Sequence, residues 1–173
     1  MKPTRWCMLA LAFSLLLVGV ARADEPKTML IHLKTSLKHD DAQICVAYNA
    51  MWAALREGLK VRVLVDADAV NTYKVGRRGK DALETYPLPE RMRQVLARQF
   101  GVPLAQVPHR YGEYLKMLHE QGAEFYINEE MLITASIADG PGDLTRVSAS
   151  FFKPVSLPEM IRLRMSADYY LVY

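Results

Sequence analysis

Thiol chemistry is scarce in this chain, which has two cysteines, Cys7 and Cys45, in 173 residues. Cys7 falls within the first ten residues, so a disulfide-stapled framework is excluded. Nucleotide and hydrolase signatures are missing as well. There is no Gly-x-Ser-x-Gly elbow, no Gly-rich loop ending in Gly-Lys-Ser/Thr, and no Gly-x-Gly-x-x-Gly after the first strand-like run. Surplus charge is absent once the N-terminus is set aside. Lys2, Arg5 and Arg22 are three of the 22 basic residues, and no acid lies before Asp24, so the rest balances 19 against 19. That balance gives no electrostatic case for nucleic acid or an anionic membrane as partner.

What the N-terminus does have is an export pattern. Lys2 and Arg5 precede an uncharged run from Trp6 to Val20, followed by Ala21-Arg22-Ala23 and the acidic Asp24-Glu25. A basic start, an apolar stretch and small residues at the cleavage positions describe a secretory signal. The alternative is a membrane anchor, but an anchor needs about 20 apolar residues and this run is shorter. Cys7 lies at the very start of this run and not after it, where a lipidation site would have to be. The expectation is a signal peptide over 1–23, cleaved after Ala23, and a periplasmic mature domain over 24–173 with no membrane attachment. A chain of that length fits one domain with a sizeable core.

Along the mature chain, strand-like and helix-like segments alternate. Met29 to Leu33 suits a buried strand. Asp40 or Asp41 can cap a helix reaching Arg56, with Ile44, Tyr48, Met51, Trp52 and Leu55 on one stripe, stopped by Gly58. Lys60 to Val65 makes a second strand, so the unit reads βαβ with parallel strands. Tyr73 to Pro89, holding Gly76-Arg77-Arg78-Gly79-Lys80, reads as an exposed loop. Pro89 opens a helix with Met92, Val95, Leu96 and Phe100 inward, ending near Gly101. Val102 to Arg110 is a connector, and Tyr111 to Gln121 is helical on Tyr114, Leu115 and Leu118. Ala123 to Ile127 is a third strand. Asn128 starts a helix to about Ala138, and Asp139 to Asp143 is a turn. Val147 to Phe151 is expected as the fourth strand. Ser156 and Glu159 form a capping box with Pro158 in the first turn, and Tyr169 to Tyr173 closes the chain as a strand. The whole implies an α/β fold with an open, mainly parallel five-stranded sheet and helices on both faces.

Glu57-Gly58-Leu59-Lys60-Val61, Asp66-Ala67-Asp68-Ala69-Val70, the passage from Leu115 through Gly122 to Ala123-Glu124-Phe125-Tyr126-Ile127-Asn128, and Ser166-Ala167-Asp168 before the last strand form a pattern. It resembles the DsrE/DsrF-like family of sulfur-relay proteins, with the YchN-like fold, over Met29 to Tyr173. The resemblance implies a small α/β subunit that assembles into trimers or hexamers and is linked to sulfur metabolism. It also implies a persulfide-accepting cysteine after the strand that follows the helix-ending glycine. Counted from Gly122, that position falls at or beside Asn128, and no cysteine lies between Gly122 and Tyr173. An amide cannot carry a persulfide. The chain therefore reads as a non-catalytic binding or assembly module.

Ligands in open parallel sheets bind beyond the carboxyl ends of the strands. There the chain places Thr35, Ser36 and His39, then Asp66 and Asp68, then Asn128, Glu129 and Glu130. Ser36, His39, Asp66, Asp68, Asn128 and Glu129 are candidates for a small polar ligand, although Asp40, Asp41, Asp68 and Asn128 are equally suited to capping helices. Cys45 is either a packed core residue or a thiolate favoured by a helix N-terminus, as a sulfurtransferase or redox role would need. A metal reading would pair His32 or His39 with Asp66 or Glu129, but no pair shows zinc- or copper-motif spacing, so neither metal nor cofactor is expected. His32, inside a strand, reads as a satisfied core or interface histidine. Copies of the same chain are the expected macromolecular partner, because the stripe of Tyr48, Met51 and Trp52 exceeds what one small sheet can cover.

Overall fold

The structure, a computed structural model, describes residues 25–76, 79 and 82–173. The expected leader and Arg77, Arg78 and Lys80 lie outside them. Five strands, β1 (Thr28–Leu33), β2 (Lys60–Val65), β3 (Glu124–Asn128), β4 (Lys153–Val155) and β5 (Tyr169–Val172), form one sheet in the order β4-β3-β2-β1-β5. Every pairing is parallel. The chain steps outward from β1 to β4 and returns to the other side of β1, so strand order reverses between β1 and β5.

Helix α1 (Asp41–Arg56) begins where Asp40 accepts the Gln43 N–H at 2.9 Å and ends before Gly58, whose φ of 78° suits a residue without Cβ. Its apolar stripe packs with Ile31, Val61, Val63 and Phe125 into the main core, shared with α4 (Tyr111–Glu120) and α3 (Glu90–Phe100). Tyr48, Met51 and Trp52 are buried there, with Trp52 stacked on Phe100 and edge-on to Tyr114. The expectation that this stripe remains for a partner is thus corrected. The neighbouring helices cover it.

The opposite face is thinner. Leu30, Leu64, Val155 and Met160 form a small second cluster under α6 (Leu157–Met165). The capping box at Ser156 is present, with Glu159 accepting from the Ser156 backbone N–H at 2.8 Å and hydroxyl at 2.7 Å. Leu157, Ile161 and Met165, spaced four apart on α6, face outward, with Met165 81% exposed. All four residues of β5 are exposed on the sheet edge.

Several segments differ from the sequence expectation. The fourth strand is Lys153–Val155, and Val147 makes only an isolated antiparallel bridge to Lys74. Three residues suffice for β4 because it closes the sheet beside β3 alone. Helix α5 (Glu129–Thr134) stops four residues early. Ser136 turns to φ 53°, and the Ser136 and Ile137 N–H groups bond back to Ile133 and Leu132. The Tyr73–Pro89 segment is not simply an exposed loop: Tyr73, Leu83 and Leu88 are buried, and Ala82–Thr85 forms a short helix, α2. On α3 the inward positions include Arg93 rather than Val95. Arg93 donates to the carbonyls of Leu104, Val107 and Pro108 at 3.0–3.3 Å and to Glu90 at 2.6 Å. A guanidinium thus satisfies the backbone of the Val102–Arg110 connector, where a valine would leave it unpaired. Among the described residues no helix is long and apolar enough to cross a membrane.

Replacing Arg93 with Met retains bulk but removes those donors, and should cost about 3 kcal/mol. Urea unfolding of the variant against the parent chain measures it.

Candidate functional site

The carboxyl ends of β1, β2 and β3 carry two polar clusters. The first lies between the loop after β1 and the 3-10 turn Ala67–Tyr73 after β2. Leu37 donates its N–H to Thr72 Oγ1 at 2.8 Å, and Ser36 donates its N–H to Asp68 Oδ2 at 3.2 Å, so the two loops are fastened together. Asp68 also holds His39 Nδ1 at 2.7 Å and the Asn71 amide at 3.0 Å. Partial burial acts to raise the Asp68 pKa, but these donors outweigh it and hold the carboxyl below its usual range. With an ionised carboxylate at Nδ1, the neutral His39 ring keeps its proton there and leaves Nε2 bare. The residues border a cleft of about 350 Å³, to which Lys38 and Tyr86 also contribute. His39 is largely exposed and Ser36 is buried.

The second cluster is centred on Asp66. Its Oδ1 accepts from the Asn128 amide and the Ala67 N–H, both at 2.7 Å, while Oδ2 lies 3.2 Å from His32 Nε2. Burial acts to raise its pKa, but the hydrogen bonds from Asn128, Ala67 and His32 prevail and lower it. Ala67 adopts φ 49°, a left-handed conformation costing about 1–2 kcal/mol, at the point where the chain leaves β2. Asn128 uses its remaining oxygen to cap α5, accepting from Glu130 at 3.0 Å and Met131 at 3.3 Å. The buried His32 bridges onward, its Nδ1 lying 2.7 Å from the Tyr170 hydroxyl on β5. A continuous polar row thus crosses β5, β1, β2 and β3.

Of the candidates from sequence, Ser36, His39 and Asp68 gather at the cleft, and Asp66 and Asn128 meet in the row. Glu129 joins neither set of bonds and instead accepts the Gly142 N–H at 3.1 Å. Cys45 is 4% exposed and faces Asn49, and burial pushes its thiol pKa up despite hydrogen bonds from Tyr111 and Asn49. Its position near the start of α1 therefore gives no thiolate. Among the described residues no group of three or more His, Cys, Asp or Glu is placed to hold a metal ion. Sequence reasoning missed Tyr170; its reading of His32 as a satisfied core or interface histidine agrees with a buried ring bonded at both nitrogens, but did not say which residues bond it. The available signal was the alternation Leu30, His32 on one strand face, but the pairing of β5 with β1 is not readable from it.

Burial lowers the pKa of His32 from its ordinary 6.5, Arg164 and Lys34 add to that effect, and Asp66 opposes it without prevailing. Below about pH 6.5 the unfolded chain therefore binds a proton that the folded ring resists, so folding stability should fall on acidification. The loss, at most about tenfold in the folding constant per pH unit for one proton, should shrink in His32→Gln. Urea midpoints between about pH 7 and 5 test this, and equal slopes in both proteins would remove His32 as the cause.

No protein-family model matches the sequence, and no curated protein does either. Among solved structures, the crystal structure of the ychN protein from E. coli is similar, with a TM-score of 0.54 and 15% identity. The match covers 86% of this chain and 100% of that one. Parallel strand order, helices on both faces and this structural likeness together identify the chain as having the YchN-like, DsrE-like α/β fold.

Proposed function

We propose that this chain is an exported DsrE-like binding and assembly module, connected by descent to sulfur metabolism but without the thiol chemistry of sulfur relay. The observation that carries this reading is the fate of Asn128. At the end of β3, where a persulfide carrier would need a free nucleophile, its amide is committed to Asp66 and its oxygen to α5. Cys45, the remaining thiol after leader removal, is packed in the core with a raised pKa. A thiol must ionise and be reached before it accepts sulfur, and Cys45 meets neither condition. The binding function rests on the Ser36–His39–Asp68 cleft. Its bare imidazole nitrogen, fixed by a carboxylate, can accept a hydrogen bond from a small polar ligand.

The export pattern supports a periplasmic location. Self-association is supported by the outward stripe of Leu157, Ile161 and Met165 on α6, since an apolar row on one helix can pack against its own copy about a two-fold axis.

Intact-mass analysis of protein recovered from the cell envelope, before and after exposure to polysulfide, tests export and thiol chemistry together. The expected species begins at Asp24 and gains no sulfur, and Cys45 alkylates only after denaturation. A chain retaining Met1 argues against export, and a native Cys45 persulfide revives the sulfurtransferase alternative.

Light scattering at micromolar concentration should return a multiple of the monomer mass, reduced to the monomer by Leu157→Asp with Ile161→Asp. A monomeric parent protein would count against assembly.

A further inference from the structure

The cleft of about 350 Å³ at the ends of β1 and β2 sorts its polar groups by sign. Asp68 takes the His39 Nδ1–H at 2.7 Å, the Asn71 amide at 3.0 Å and the Ser36 N–H at 3.2 Å. Donors on this wall are therefore turned toward the carboxylate, and the same side chains leave acceptors free. The neutral His39 ring leaves Nε2. Asn71, with its amide nitrogen on Asp68, leaves Oδ1, which has no partner among the described residues. The Leu37 N–H is likewise consumed, by Thr72 Oγ1 at 2.8 Å. What remains is a fixed set of acceptors with a negative charge behind them, and that charge strengthens their pull on a donor. The opposite sign comes from Lys38, an exposed point charge on a flexible stem that also borders the cleft. Asp68 and Lys38 are the acidic and basic residues lining this space, and the half-buried Tyr86 gives it an apolar wall.

A ligand that is only an anion would set its oxygens against Nε2, Asn71 Oδ1 and Asp68, acceptor against acceptor. A ligand that is only a cation would satisfy these groups but leave Lys38 facing a like charge. An ammonium and a carboxylate carried on one carbon answer both requirements. We propose that the cleft binds a free α-amino acid. Its ammonium donates to His39 Nε2 and Asn71 Oδ1 with Asp68 behind them, its carboxylate meets Lys38, and its side chain lies along Tyr86. The cavity is at the lower end of the range for small-ligand sites, which suits a molecule of this size. Asp68 acts through His39 and Asn71, holding their donors so that their acceptors face the ligand. The inference rests on the reading of the Ser36–His39–Asp68 cleft as the binding site and adds to it the class of ligand.

The test is a backbone-amide NMR titration of the isotope-labelled mature protein in neutral buffer. The probes are L-leucine, L-leucine amide, which lacks the carboxylate, and 4-methylpentanoate, which lacks the ammonium. L-Leucine should give saturable shifts confined to the loop around Ser36–His39 and the turn Ala67–Tyr73, with a Kd of about 1 mM or tighter. The amide should bind several-fold more weakly, and 4-methylpentanoate should not bind. His39→Ala, at an exposed position, should weaken L-leucine about tenfold. Lys38→Met should weaken L-leucine but not the amide, since it removes only the partner of the carboxylate. Equal affinity for L-leucine and 4-methylpentanoate, or an unchanged affinity in His39→Ala, would overturn the proposal. Saturable binding of 4-methylpentanoate alone, lost in His39→Ala, would refute the amino acid while leaving the cleft a ligand site. Absence of shifts at the cleft with all three probes would count against both.

Discussion

The carboxylate of Asp66 sits where three neighbouring strands end, and the polar architecture of the site depends on it. It binds the His32 ring from β1, the Ala67 N–H at the exit of β2 and the Asn128 amide from β3. Parallel strands have no hairpins to align their ends, so some other interaction must fix how the loops leave the sheet. Here one ionised group does so. Its charge is tolerated in a half-buried place because each oxygen has donors, and the same donors keep it ionised. Substituting it would release His32, Ala67 and Asn128 at once, so one carboxylate ties together the ends of three strands.

The two faces of the sheet are unequal, and that inequality separates stability from function. The face beneath α1 and α4 is a continuous core of aliphatic and aromatic side chains, in which Tyr48, Trp52 and Tyr114 meet edge to face. Cys45 lies in this core, and its sulfur is out of reach for chemistry for the same reason that it packs well. The face beneath α6 has only a small apolar cluster, and polar groups fill the rest: His32, Arg62, Glu124 and the Tyr126 and Tyr170 hydroxyls. A thin cover leaves room for charged side chains to approach the sheet, and it leaves the outer stripe of α6 and the edge strand β5 exposed.

Much of the fold was legible because local rules were enough. Asp40 as cap, Gly58 as stop and the Ser156–Glu159 capping box each act within a few residues, so type and position could be read directly. Where context decides, the reading failed. Val147 to Phe151 has strand composition, yet the shorter Lys153–Val155 takes the place beside β3 because that is where the sheet has an open edge. Val95 has the more apolar side chain, yet Arg93 goes inward because the connector's carbonyls need donors. The candidate site was half visible: residues after β1 and β2 were located correctly, but their division into a cleft around Asp68 and a row around Asp66 was not.

By itself the sequence determined the alternation of elements, the parallel α/β class, the absence of any cysteine after Cys45 and the amide at Asn128. These are matters of composition and short-range spacing. Only the tertiary structure decided that β5 returns beside β1, bringing Tyr170 to His32 across 138 positions of chain, and that Asp66 joins the strand ends. Strand order depends on which edges remain open after the core has packed. That is a property of the whole chain, and no local pattern encodes it.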